Sequence, residues 1–417
     1  MKILWYTNTP CNYKQNSAYN GGGWLSALQN LLEKTDDVEL GIAFALDGEP
    51  EKVKTDSVTY FPMKFPHKSL WEKVRCVLGT KKGFVKSERN RYSKYEEILK
   101  FPVEDFKPDI IMVFGSEQPM GLIVSLTDVP VVLHIQGILT PYLNAYLPPF
   151  VSWKSYINSS HDIKKILLRS IEHKRWVANC EREQEIYKRV KYYFGRTDWD
   201  YRLTKILKPN AEYFYSSEIL RPVFYEQAER KIPKKLTIVT TISNPLYKGY
   251  DLVLKTAQRL VRSRMEFEWK CFGNIDPRTI ERILKIKHEN VNVSLCGVAT
   301  PEDLKRALLQ STVYVHTSYI DNSPNSLCEA QILGCTPIAT YVGGVPSLIQ
   351  DGVTGYLVPA NDPFQLAYLI EDVFAHVENN VAMGKAAQVI ARKRHDRNGI
   401  VEKLLNDLNT IIYKNKM

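Results

Sequence analysis

The chain has 417 residues, of which 44% are hydrophobic and 24% charged, a composition typical of a folded globular protein with room for two domains. Its 56 Lys and Arg against 46 Asp and Glu give a net charge of +10, which points to an anionic partner. No apolar run reaches the roughly 18 residues of a membrane-spanning helix, and seven scattered cysteines without a C-x-x-C pair indicate a reduced, cytoplasmic protein.

Short apolar runs alternate with helical patterns along the whole chain. The first run, M-K-I-L-W-Y, predicts a buried strand and not a secretory signal. Strands are predicted at residues 3–6, 40–45, 110–114, 131–135, 175–178, 213–215, 236–241, 268–272, 291–295, 312–316, 336–340 and 355–358. Helices are predicted between them, for example at residues 249–261, 301–310 and 326–333. This alternation predicts an α/β protein with doubly wound sheets.

The strand–helix rhythm stops at residues 218–235, a charged segment that contains Pro222 and Pro233. We therefore predict two domains, residues 1–220 and 221–394, and expect the amphipathic tail, residues 395–417, to return to the first. Two open sheets in tandem direct the loops at the carboxyl ends of their strands toward a shared cleft, where a ligand is expected.

Two segments of the first domain carry much of the positive charge. Residues 67–100 hold ten Lys and Arg against four Glu, with Leu70, Trp71 and Val74 at helical spacing, and residues 151–175 hold six against two acids. A basic amphipathic helix suits an anionic membrane surface; the alternative is a solvated helix face. Nucleic acid is not expected as a partner, because no binding motif accompanies the charge.

Two glycine- or lysine-containing segments follow predicted strands. G-G-G-W at residues 21–24 opens a helix but lacks the G-x-G-x-x-G order and follows a long loop, so a NAD-binding site is excluded. In T-T-I-S-N-P-L-Y-K-G, residues 240–249, Lys248 can reach a diphosphate as a mobile charge. Each pattern is also common as ordinary turn chemistry.

The most informative segment is D-N-S-P-N-S-L-C-E-A, residues 321–330, with two carboxylates, Asp321 and Glu329, eight residues apart. Ser323 is predicted to cap a helix whose first position is Pro324. Such a helix start directs unpaired N–H groups toward a phosphate, and Glu329 can accept from the hydroxyls of a ribose. A capped helix with a solvated Glu is the alternative.

Together these segments resemble the retaining glycosyltransferases of family 4, which have the GT-B fold of two Rossmann-like domains facing across a cleft. The resemblance implies transfer of a sugar from a nucleotide-diphosphate donor to a hydroxyl of a glycan acceptor, with a UDP-sugar as the expected donor and no metal or other cofactor. It implies a lipid-linked acceptor in bacterial surface polysaccharide biosynthesis (capsule, O-antigen or exopolysaccharide) and a position at the inner face of the cell membrane.

The resemblance also implies a set of site residues. The catalytic residues would be Asp321, His134, Lys248 and Glu329. The donor-binding residues would be Gly22, Gly23, Lys248, Gly297, Val298, Ser323, Pro324, Asn325, Ser326, Leu327 and Glu329. Asp321 stands where the family usually has Glu, and Ser243 where it often has an Arg on the diphosphate, so Arg196 is a candidate for an additional phosphate contact. Two alternatives remain: a non-catalytic sugar-nucleotide-binding protein and a GT-B nucleotide-sugar epimerase.

Overall fold

The computed structural model describes residues 1–13, 23–160 and 162–417. The strands are β1 (Lys2–Thr7), β2 (Glu39–Ala45), β3 (Val53–Lys54), β4 (Val58–Met63), β5 (Ile110–Phe114), β6 (Val131–His134), β7 (Tyr192–Gly195), β8 (Glu212–Tyr215), β9 (Leu236–Thr241), β10 (Phe267–Phe272), β11 (Val293–Gly297), β12 (Val313–His316), β13 (Pro337–Thr340) and β14 (Tyr356–Val358). They form two sheets, ordered β3-β4-β2-β1-β5-β6-β7-β8 and β11-β10-β9-β12-β13-β14. All pairs are parallel except β3 with β4, so the predicted α/β fold with two parallel sheets is confirmed.

Helices cover both faces of each sheet. They are α1 (Gly23–Leu32), α2 (Leu70–Leu78), α3 (Lys81–Arg89), α4 (Glu96–Phe106), α5 (Leu139–Asn144), α6 (Trp153–Asn158), α7 (Ile163–Arg189), α8 (Asp198–Leu207), α9 (Tyr250–Arg262), α10 (Arg278–Leu284), α11 (Pro301–Leu309), α12 (Asn325–Ile332), α13 (Pro363–Ala375), α14 (Val377–Arg394) and α15 (Arg397–Lys416). No described helix is both long and apolar enough to cross a membrane.

The strand predicted at residues 175–178 is wrong, because these residues lie inside the 27-residue helix α7. The run R-W-V-A is too short for its periodicity to separate a strand from a helix. The parallel strands β4 and β7 were not predicted, although both are buried.

The C-terminal helix α15 packs on the first sheet and not on the second. Leu404, Leu408 and Ile411 are buried in the same cluster as Ile3, Trp5 and other residues of the first sheet. Asn415 Nδ2 donates to the Tyr192 hydroxyl at 2.9 Å. The chain therefore crosses from the first sheet to the second after β8 and returns after α14.

The two domains contact each other beside the cleft. The Thr197 hydroxyl donates to Asn322 Oδ1 at 2.7 Å, and Asn322 Nδ2 donates to Asp200 Oδ2 at 3.0 Å. At the edge of the same contact, the Asp198 backbone N–H donates to the Ser347 hydroxyl at 3.0 Å. Asn322 is fully buried, so it forms the centre of this interdomain contact.

Candidate functional site

A cavity of about 1160 Å³ opens between the two sheets, where the carboxyl ends of their strands meet. This is the expected ligand position in open α/β sheets. The chain passes from the first sheet to the second through residues 216–235, the crossing segment. The cavity lining includes Thr9, Cys11, Gly23, Trp24, Gln136 and Arg196 from the first domain, Arg221 from the crossing segment, and Thr241, Ser243, Lys248, Asn274, Val298, Asp321, Ser323, Pro324, Asn325, Ser326 and Glu329 from the second domain.

Most of the predicted site residues lie together in this lining. His134, Gly297 and Leu327 do not: His134 and Leu327 are buried behind it, and Gly297 adjoins it with a φ of 69°. Gly22 lies outside the described residues, so its predicted role stays a prediction.

Asp321 is the centre of a buried charged group. Lys248 forms an ion pair with its Oδ2, and His316 Nε2 lies 3.1 Å from the same oxygen. The Asn322 backbone N–H donates to Oδ1 at 3.1 Å. Burial alone would raise the pKa of Asp321, but Lys248 and His316 outweigh it and hold this pKa far below its usual range. Asp321 is therefore a carboxylate whose orientation is fixed.

Helix α12 begins at the cavity without a side-chain cap. Its N-cap is Pro324, with φ −69° and ψ 113°, and no side chain accepts from its first turn. The predicted Ser323 cap is wrong, because the Ser323 hydroxyl donates to the buried Glu218 carboxylate at 2.6 Å. The helix therefore starts at Asn325, one residue after the predicted first position, Pro324, and one residue before the predicted helical run 326–333. Its uncapped first turn keeps the property that binds a phosphate, since helix N-termini carry free N–H donors.

Glu329 forms a bidentate ion pair with a residue that the sequence did not indicate. Arg221 Nε donates to Glu329 Oε1 at 2.7 Å, and Nη2 donates to Oε2 at 2.8 Å. Burial raises the pKa of Glu329, while Arg221 acts in the opposite direction. The guanidinium thus holds the carboxylate in one orientation at the cavity wall.

Arg196 is buried deeper in the cavity wall than expected of a side chain that is free to bind a phosphate. Its side chain is only 5% exposed, and its Nη1 is 3.6 Å from a Glu218 carboxylate oxygen. Its guanidinium carbon lies 5.7 Å from the centre of the Trp24 ring. Arg196 is nevertheless part of the lining, so its predicted phosphate contact stays a prediction.

His134 lies at the end of β6, behind Trp24 and Gln136, which do line the cavity. Its ring centre is 5.2 Å from that of Phe114 and 5.3 Å from that of Trp24. Gln136 Nε2 lies 3.0 Å from His134 Nδ1, which then accepts. Burial first, and then the Arg196 guanidinium, lower the pKa of His134 to about 3. The imidazole is therefore neutral and supports two lining residues.

Among the described residues, Glu218, Cys328 and His395 are the side chains close enough together to consider as metal ligands. All three are fully buried behind the cavity. The oxygens of Glu218 already accept from Ser323 and face Arg196. The group therefore forms a hydrogen-bonded connection behind the cavity wall, and the absence of a metal requirement stays a prediction.

Several lining residues were not predicted. Gln136, Thr241 and Asn274 each stand at or just after the carboxyl end of a parallel strand, and that position was the signal that could have identified them. Arg221 has no such signal, because its partner Glu329 lies 108 residues away in the sequence.

The arrangement as a whole is suited to an anion that also carries hydroxyl groups. Three cationic side chains and an uncapped helix start can hold phosphate oxygens. Asp321 and Glu329, each held in one orientation by a cationic partner, can accept from sugar hydroxyls.

The fold and the site can now be compared with known proteins. Residues 233–376 match the family model described as Glycosyl transferases group 1. The chain is similar to D-inositol 3-phosphate glycosyltransferase of Corynebacterium kroppenstedtii, with 31% identity over 168 residues, 38% of this chain and 37% of that protein. It is also similar to the putative colanic acid biosynthesis glycosyltransferase WcaL of Salmonella typhimurium, with 24% identity over 170 residues, 39% of each chain. The alignments thus span less than two fifths of these relatives.

Solved structures match over the whole chain. Sucrose-phosphate synthase from Thermosynechococcus elongatus has a TM-score of 0.71 at 15% identity and covers 99% of both chains. Alr3699/HepE of Anabaena, solved in complex with UDP-glucose, has a TM-score of 0.64 at 12% identity and covers 98% of this chain and 100% of that one. This likeness confirms that the chain has the GT-B fold.

Proposed function

We propose that the protein is a retaining glycosyltransferase of family 4 that moves a sugar from a nucleotide-diphosphate donor to a hydroxyl of a glycan acceptor. The observation that carries the proposal is the wall of the cleft, where Lys248, the uncapped start of α12 and Glu329 lie together. Lys248 and the start of α12 match a diphosphate, and Glu329 matches a ribose, while Asp321 beside Lys248 matches the sugar. The Glycosyl transferases group 1 match over residues 233–376 and the UDP-glucose complex of Alr3699/HepE support the same donor class.

In this proposal the protein contributes charge stabilisation and positioning. The acceptor hydroxyl attacks the anomeric carbon on the face from which the diphosphate leaves, so the bond to the acceptor oxygen forms as the bond to the phosphate oxygen breaks. The proton of the hydroxyl passes to the departing phosphate. Lys248 and the N–H groups of α12 stabilise that leaving group, Asp321 orients the sugar hydroxyls and Glu329 the ribose. Gly22 and Gly23 complete the donor site, His134 acts through Gln136 and Trp24, and no metal is required.

The acceptor in this proposal is lipid-linked and is used at the inner face of a membrane, in surface polysaccharide biosynthesis. Helix α2 supports this, since it exposes Leu70 (76%), Trp71 (77%) and Leu78 (81%) to solvent, beside the exposed cations Lys73 and Arg75. Exposed apolar side chains among cations match the surface of an anionic bilayer. The name of WcaL, which refers to colanic acid biosynthesis, supports a polysaccharide product.

The first test is calorimetric binding of UDP, GDP, ADP and their sugars to the wild type and to Lys248→Ala. We expect one nucleotide to bind selectively. We expect Lys248→Ala to lower the transfer rate by on the order of 10²–10³, as for loss of other charge-stabilising groups. Asp303→Ala, an exposed change on α11, is the control and should bind and react like the wild type.

The outcome also separates the alternatives. Binding without turnover for every acceptor tried would indicate a non-catalytic sugar-nucleotide-binding protein. Conversion of the donor without any acceptor would indicate an epimerase. No binding by any nucleotide would remove the proposal. For an active enzyme, NMR of the product's anomeric proton decides between retention and inversion.

A further inference from the structure

The charges that line the cavity are matched in pairs. Among the described residues, its cations are Lys248, Arg196 and Arg221, and each forms an ion pair, with Asp321, Glu218 and Glu329 respectively. A diphosphate brings at least two negative charges into this balanced site. It therefore needs a cation that can bind it without leaving its carboxylate partner.

Arg221 meets this requirement best. Its side chain is 27% exposed, against 15% for Lys248 and 5% for Arg196. Only its Nε and Nη2 are used by Glu329, and Nη1 has no partner among the described residues. Because a guanidinium carries five N–H donors in one plane, two remain on Nη1 for a second anion.

The position of Arg221 is fixed from both sides. Its guanidinium carbon lies 4.9 Å from the centre of the Phe224 ring. On the other side, a Cβ added to Gly23 would lie 3.1 Å from Arg221 Cδ, closer than ordinary contact. The absence of a side chain at Gly23 thus leaves room for the Arg221 side chain. Pro222, the next residue, begins a 3-10 turn. The side chain is held over the cavity and not free in solvent.

We propose that Arg221 is a donor-binding residue, which holds Glu329 toward the ribose with one edge of its guanidinium and binds a phosphate oxygen of the donor with Nη1. This inference rests on the proposed function, because it assigns a further residue to the same donor. It gives the donor site a second cation besides Lys248, in a cavity where residue 243 is a serine. It also explains why a residue of the crossing segment lines a cavity formed by two domains.

The test compares a nucleoside diphosphate with its nucleoside, because only the former carries the phosphates. The affinities of UDP and uridine, or of whichever pair the wild type binds, are measured by calorimetric competition in wild type, Arg221→Gln, Glu329→Gln and the double variant. We expect the ratio of UDP affinity to uridine affinity to fall by about 10-fold or more in both variants that lack Arg221, as for a lost hydrogen bond to a charged group. We expect the ratio to stay unchanged in Glu329→Gln, although both affinities fall.

The double variant keeps the test valid if Arg221→Gln alone unfolds, because it does not leave a buried carboxylate unpaired. A ratio within threefold of the wild type in the Arg221 variants would overturn the inference, since Arg221 would then only orient Glu329. That result differs from failure of the proposed function, in which the wild type itself binds no nucleotide.

Discussion

At the scale of single residues, burial decides which charges the site can use. Asp321 stays ionised because Lys248 and His316 compensate its burial, whereas burial and the Arg196 guanidinium outweigh the Glu218 carboxylate at His134 and keep that ring neutral. A neutral imidazole behind Trp24 and Gln136 can support these side chains but does not carry charge into the cavity. The two residues therefore differ in chemistry although both follow parallel strands.

The neutral state of His134 should make stability depend on pH. Its pKa is lowered in the folded chain, to about 3, from roughly 6.5 in the unfolded chain, so the unfolded state takes up a proton first as the pH falls. The stability that depends on neutral His134 is complete above about pH 6.5 and is lost between there and pH 3. We expect the wild type to lose about 2 kcal/mol more than His134→Phe between pH 7 and 5.

The measurement is urea unfolding of both proteins from pH 8 to pH 5. The difference between them should be flat above pH 7.5, which serves as the internal control, and the contributions of other histidines cancel in it. Parallel pH profiles throughout would contradict the prediction.

The sequence identified many of the residues of the site but fewer of their partners. Lys248, Asp321, Glu329 and the start of α12 were all recognisable, because they lie in short segments with a local physical meaning. The Ser323 cap was wrong, since the buried Glu218, 105 residues away, takes its hydroxyl. Arg221 was missed for the same reason. Hydrogen bonds between distant segments depend on the fold, and no local pattern encodes them.

At the scale of elements, most strands were predictable, whereas β4, β7 and helix α7 of the first domain were not. Apolar and charged residues are both spread around the circumference of helix α7, so its hydrophobic periodicity is weak. Its residues 175–178 therefore resembled a strand. The basic segment 67–100 holds α2 and α3, separated by Gly79 and Thr80, and the first residues of α4. Both helices contact α7. Leu70 and Trp71 remain exposed although α2 contacts α7, so both side chains are available to a partner.

The exposed face of α2 should mediate binding to an anionic membrane. Replacing Leu70 and Trp71 by Ser removes two apolar side chains that insert at the interface. We expect sedimentation with vesicles containing phosphatidylglycerol to fall about 10-fold or more, given the area of a Trp and a Leu at roughly 25 cal/mol per Å². The same double variant should unfold at the same temperature as the wild type, because both residues are about three-quarters exposed.

A matched control is Phe364→Ser with Tyr368→Ser on α13, which are also exposed large apolar residues but lie in the second domain. These changes should not affect vesicle binding. Equal sedimentation of all three proteins would remove the membrane surface from the proposal. Binding of wild type should also weaken as salt rises, since the attraction of the cations is screened.

At the scale of the whole molecule, the site depends on contact between the domains. Asn322 adjoins Asp321 in the second domain, yet its side chain bonds Thr197 and Asp200 of the first. Two consecutive residues, Asp321 and Asn322, thus provide the central carboxylate and the interdomain contact. Separation of the domains should disturb both, because Asn322 and Asp321 are consecutive.

Asn322→Ala should open the molecule. It removes three hydrogen bonds between the domains, and we expect a loss of about 1–3 kcal/mol from the interdomain contact and a larger radius of gyration in small-angle X-ray scattering. Saturating nucleotide should restore the compact form. Ser347→Ala, which removes a peripheral bond from the same interface, is the matched control and should change the radius much less. An unchanged radius for Asn322→Ala would show that other contacts hold the domains together.

The two chain crossings meet at one point. His395, between α14 and α15, has its Nδ1 2.9 Å from the Glu218 carbonyl oxygen, and the Tyr225 hydroxyl donates to the His395 carbonyl oxygen at 2.9 Å. The second domain is therefore an insertion whose entry and exit are adjacent, placed inside a first domain that α15 completes. Such a layout makes residues 236–394 a cassette that recombination, or a protein engineer, can exchange through two neighbouring junctions, provided that the new half keeps the partners of Thr197, Asp200 and Arg221. The substrate specificities of the two halves are then free to evolve separately.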